Sequence, residues 1–168
     1  MAAGKSRLCL MLAAAMALAL GVSACAQRNA NSDLAAGGAG YAAAGPGSVQ
    51  EFNQTVGDRV FFDTDQTDLS ATAQATLDKQ AAWLNHYNRY SFTIEGHADE
   101  RGTREYNFAL GARRAQAVHD YLVAKGVSPT RMKTISYGKE RPVAVCDDIS
   151  CWSQNRRAVT VLNGAPTS

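Results

Sequence analysis

The densest cluster of chemically capable side chains is the run Glu95-Gly96-His97-Ala98-Asp99-Glu100-Arg101-Gly102-Thr103. A histidine and two carboxylates within four positions are the residue types used for general acid–base transfer or for metal ligation. Three such groups on one loop make a weak catalytic signal. The chain has no Gly-x-Ser-x-Gly, no His-Glu-x-x-His and no cysteine–histidine nucleophile arrangement. We therefore expect no enzyme, no cofactor and no metal; a protein-interaction scaffold is the alternative, and a periplasmic hydrolase a much weaker one. Recognition is the better match. Gly96 and Gly102 let the backbone turn and approach a ligand closely. Asp99 lies just before an expected helix N-terminus, where free N–H groups favour bound anions.

A second clue sits on the helix that follows. Asn107, Leu110, Arg114, Val118 and Tyr121 recur at spacings of three and four, so they share one face. Leu, Val and Tyr turn that face toward a core, and an arginine there must be paired or open onto a site. Asp99, at the mouth of the same helix, is the nearest carboxylate by topology. The two either form a structural ion pair or act together on a ligand, and the spacing leaves both open. Arg113 is turned by about 100° and belongs to a wetter face. Asp63 and Asp65 read equally as turn residues closing a strand.

These residues need a frame. Val56 to Phe62 is an apolar, β-prone run and predicts a first strand. Leu69, Ala73, Leu77, Ala81 and Leu84 predict an amphipathic helix over 70–88. Ser91 to Gly96 alternates like a half-covered strand. Arg104 to Lys125 predicts a second long helix, with Thr103 as N-cap and Gly126 just past its end. Met132 to Tyr137 and Ala158 to Leu162 complete four strands, the last after a polar loop. Strands alternating with helices imply one sheet with helices on a face.

Taken in order, five motifs resemble the C-terminal domain family of outer membrane protein A. They are Phe62-Asp63-x-Asp65, Gly96-His97-Ala98-Asp99-Glu100-Arg101-Gly102, Asn107-x-x-Leu110-Gly111-x-Arg113-Arg114-Ala115, Ser136-Tyr137-Gly138 and Asn155-Arg156-Arg157. The likeness spans about residues 56–162. It implies an α+β fold of order β-α-β-α-β-β, one mixed sheet with two long helices packed on one face. It also implies non-covalent binding of peptidoglycan through the meso-diaminopimelate of stem peptides, with Asp99 and Arg114 as the ligand pair. Asp99 would take the ammonium and Arg114 the carboxylate of the diaminopimelate side chain. Backbone N–H groups around Phe62-Asp63 and the Asp99 loop would complete the anion site, and Asn107 would orient the loop or Arg114. Lipid-anchored members of the family belong to the Tol system. A second expected partner is therefore its periplasmic β-propeller protein TolB, on an overlapping surface.

The start of the chain fits that setting. Lys5 and Arg7 precede the apolar run Leu8–Leu20, and Ser23-Ala24-Cys25 resembles a lipobox. The expected organisation is a signal peptide over 1–24, a lipidated flexible tether over 25–48 and a peptidoglycan-binding domain over 49–168. Cys25 would carry the lipid. Ala26, rather than Asp, after the cysteine points to the outer membrane, with the domain facing the periplasm. About 20 residues of Gly-rich coil span roughly 25 Å. With Cys9 lost and Cys25 acylated, Cys146 and Cys151 remain, an even pair in an oxidising compartment and an expected disulfide. The rival zinc site lacks a second ligand pair. Loss of 1–24 takes the net charge from +2 to zero, so no nucleic-acid partner is expected.

Overall fold

Apolar residues at alternate strand positions and at helical spacing need a shared interior. The computed structural model, which describes residues 45–164, supplies it with one four-stranded sheet. Strands β1 (Arg59–Phe61), β2 (Phe92–His97), β3 (Met132–Gly138) and β4 (Arg157–Leu162) lie in the order β1-β4-β2-β3. Only the β2–β3 pair is parallel, and it is joined through a long helix, as a parallel pair requires. That helix, α2 (Arg104–Ala124), and the earlier α1 (Ala71–His86) cover one face of the sheet. The α+β fold is as expected, and the four strands and two long helices follow one another in the expected order.

The core draws on both layers: Val60, Phe92, Ile94 and Ala158 from the sheet, Leu77, Leu84, Ala115, Val118 and Leu122 from the helices. Ser70 caps α1 by accepting from the Ala73 N–H, and Thr103 caps α2 by accepting from Tyr106. Past the end of α2, Gly126 takes a φ of 87°, which lets the Val127 N–H return to the Leu122 carbonyl.

Two expectations needed correction. The first strand is shorter than Val56 to Phe62, because Phe52–Gly57 forms a π-helical turn. That turn seats Phe52, fully buried, 4.9 Å from the Trp83 ring, and Gly57 at φ 92° ends it. The polar loop before β4 also contains a helix, α3 (Ile149–Asn155), capped by Asp148. Cys146 and Cys151 form the expected disulfide across its start, with Cα atoms 5.6 Å apart. The expected signal peptide, the expected lipidation of Cys25 and the expected tether up to residue 44 fall outside the described residues. Among the described residues, no helix is long and apolar enough to cross a membrane.

Candidate functional site

The site begins with two glycines. A Cβ on Gly96 would collide with the Gly111 carbonyl, and one on Gly111 would stand 2.8 Å from the Gly96 carbonyl oxygen. Without side chains at these positions α2 rests directly on β2, which carries Arg114 up to the end of the strand. Arg114 is fully buried. Its Nε donates to the Gln66 carbonyl at 2.9 Å, Nη1 to the His97 carbonyl at 2.9 Å and Nη2 to the Asp63 carbonyl at 3.0 Å. The Phe62 ring lies 5.1 Å from its guanidinium carbon. One side chain thus ties the loop after β1 to the end of β2. Burial, followed by the neighbouring Arg156, pushes its pKa down to about 10, so it stays charged at neutral pH. The residue expected on the core-facing stripe is there, while Arg113 is exposed.

Asp99 is brought beside this cation without bonding to it. Its Oδ1 accepts from the Arg101 N–H and Nε, both at 3.2 Å. Its Oδ2 accepts from Arg101 Nη2 at 2.7 Å and from Arg156 Nη1 at 3.3 Å. Burial alone would raise this carboxyl's pKa. The Arg101 and Arg156 donors outweigh it and hold the group below the ordinary aspartate value. Arg156 is itself buried, and its Nε donates to the Phe62 carbonyl at 3.0 Å. Three guanidinium groups and two carboxylates, Asp99 and Asp65, therefore meet here, a mixed-sign site that suits a ligand group carrying both charges.

Thr64, Asp65, Asp99, Arg101, Gly102 and Tyr106 line a pocket of about 210 Å³. Asp65 holds a φ of 56°, an uncommon left-handed conformation for a side-chain-bearing residue. Asn107 donates to the Arg101 carbonyl at 2.7 Å, so of its two expected roles it takes the loop. The Phe62 N–H donates to the Arg156 carbonyl and the Ala98 N–H to Gly138, which leaves neither for an anion. Asp63 contributes its carbonyl to Arg114 and lines a neighbouring pocket of about 390 Å³ with Phe62 and Arg156.

Arg156 and Arg101 stand within the sequence motifs, but nothing in their spacing points to this role. Nor does the sequence mark Trp152, whose ring lies 4.2 Å from the Arg101 guanidinium carbon and whose Nε1 donates to Glu100.

The catalytic alternative finds no matching geometry. The His97 ring stacks on Tyr137, and its Nε2 lies 3.6 Å from Glu95. Glu100 binds Trp152 and Asp99 binds the arginines, so the three groups do not converge on one point.

The OmpA family pattern matches residues 61–156. The chain is 67% identical over 156 residues to the peptidoglycan-associated lipoprotein of Rhizobium meliloti (strain 1021), covering 92% of this chain and 88% of that protein. It is 46% identical over 151 residues to the peptidoglycan-associated lipoprotein of Pseudomonas putida, covering 87% and 90%. The crystal structure of the peptidoglycan-associated lipoprotein from Burkholderia pseudomallei superposes with a TM-score of 0.63 at 40% identity, covering 66% of this chain and 96% of that one. The C-terminal domain of Helicobacter pylori MotB shares the fold, with a TM-score of 0.60 at 21% identity over 65% of this chain and 86% of that one.

Proposed function

Because the chain belongs to the OmpA family, we propose that it is an outer-membrane lipoprotein that binds peptidoglycan non-covalently, without turnover. The ligand group is the side-chain amino-acid centre of meso-diaminopimelate in stem peptides. A single observation carries this reading: a buried carboxylate, Asp99, lines a small open pocket beside the guanidinium groups of Arg101, Arg156 and Arg114. A zwitterionic ligand satisfies both signs. Its ammonium goes to Asp99, and its carboxylate to the positive field of Arg114 and Arg156. Arg114 has three of its five donors on backbone carbonyls, so it contributes charge and shape together.

The experiment is co-sedimentation of the chain with purified peptidoglycan. Asp99→Asn retains size but loses the charge and half of the acceptor positions; with circular dichroism showing it folded, it should leave the pellet. Free meso-diaminopimelate should release the wild type, and no soluble wall fragments should appear. An Asp99→Asn protein that pellets like wild type would remove the basis of this reading.

A second partner is favoured by the surface around the pocket. Tyr106, Phe108, Val143, Val145 and Ile149 are each exposed, Val145 at 87%, and exposed apolar side chains suit a protein surface. We assign them to a TolB-like periplasmic β-propeller of the Tol–Pal system, competing with the wall. Pre-bound peptidoglycan should then reduce its capture.

A further inference from the structure

Asp99 is already saturated. An ionised carboxylate offers about four lone-pair positions, and four donors fill them: the N–H, Nε and Nη2 of Arg101 and the Nη1 of Arg156. An arriving ammonium has to displace one of them. Arg156 is buried and anchored on the Phe62 carbonyl, whereas the Arg101 side chain is 40% exposed. Arg101 also reaches across the pocket, with Nη2 lying 3.4 Å from Thr64 Oγ1. Its position is set from the far side by Trp152, which packs on the guanidinium and is fixed through Glu100. Trp152 follows Cys151 directly, on the helix whose start the disulfide closes.

We propose that Arg101 is a tethered competitor for the ligand-binding carboxylate, and that Trp152 is the positioning residue that sets the strength of that competition. This rests on the diaminopimelate reading. Arg101 stands where the ligand ammonium must go. Binding exchanges one cation for another at Asp99, and the released guanidinium moves into solvent. The site then discriminates strongly, because a ligand centre whose amine is missing or acylated cannot supply the replacement charge.

The test is calorimetric titration of free meso-diaminopimelate into the full chain in detergent. Arg101→Ala should bind about fivefold more tightly, the scale of a part-exposed ion pair. Trp152→Leu should tighten binding by a smaller factor, and Trp152→Tyr, which restores a ring face, should return to the wild-type value. The Arg101→Ala/Trp152→Leu double variant should bind no more tightly than Arg101→Ala alone, because Trp152 acts only through Arg101. If Arg101→Ala binds equally or more weakly while Asp99→Asn does not bind, the competitor assignment is overturned. If the effects of the two substitutions add, Trp152 loses its positioning role. If Asp99→Asn binds like wild type, the diaminopimelate reading fails and takes this proposal with it, in a pattern unlike the other two.

Discussion

Arg114 is where residue-scale reasoning gained most and lost most. Its spacing on an apolar stripe showed that a buried cation needed partners, and it has them. The partners are three backbone carbonyls, of Gln66, His97 and Asp63, rather than the Asp99 side chain. Carbonyl direction depends on the loop's path in space, which no side-chain pattern encodes. This changes what substitutions should do. Arg114→Ala leaves three buried acceptors unpaired and a void, and should destabilise by about 3–5 kcal/mol. Arg114→Lys keeps the charge, but one ammonium cannot reach three divergent carbonyls, so about 2 kcal/mol should still be lost. Exposed Arg113→Ala should stay within about 0.5 kcal/mol of wild type. Urea unfolding of the three variants checks the ranking; equal midpoints for Arg114→Ala and Arg113→Ala would show the clasp carries no stability. Binding losses in Arg114 variants therefore need a folding control, as do those in Asp99→Asn, which loses the carboxylate partner of buried Arg156.

At the scale of elements, long periodic segments were legible and short ones were not. Helices α1 and α2 and strands β2 and β3 fall within two residues of their expected bounds at each end, since repeated burial leaves a repeated pattern. Helix α3 buries only Cys151 and Asn155, too few residues to show a period. The π-helical turn is set by the seating of Phe52 against Trp83, a contact more than 30 positions distant in sequence. Contact between α2 and β2 was also invisible, although it depends on two identifiable residues. Gly96→Ala drives a methyl group into the Gly111 carbonyl in a place where neither backbone can yield. It should cost about 3 kcal/mol or more and lift Arg114 off the His97 carbonyl. Thermal unfolding measures it; an unchanged midpoint would mean the helix can slide along the strand. Replacing Cys146 and Cys151 by serine should cost about 2 kcal/mol, the usual scale for so short a loop. It should also loosen the segment that positions Trp152, visible as a shift in tryptophan emission.

The whole molecule responds to acid through a residue outside the binding pocket. His97 is 2% exposed, and neither ring nitrogen has a hydrogen-bond partner among the described residues. It stacks on Tyr137 of β3. Burial lowers its pKa from 6.5 to about 4, and Arg157 of β4, Arg141 and Arg59 of β1 add repulsion. Glu95, its neighbour on β2, stands at 3.6 Å and offsets this only in part. The folded protein therefore holds His97 neutral at a pH where the unfolded chain protonates it. Its contribution to stability is complete above pH 6.5. It declines as pH falls through the interval to about 4, where up to about 3 kcal/mol has gone. Asp99 is shifted in the usual carboxylate sense, so its own contribution disappears only at still lower pH, as its depressed pKa is approached. The two windows are separable. His97→Phe keeps a ring on Tyr137 and cannot take a proton, so the variant should show a flatter stability curve between pH 6.5 and 4 while retaining the fall below it. Parallel wild-type and His97→Phe curves across that interval, measured by urea unfolding at several pH values, would place the acid sensitivity elsewhere in the fold.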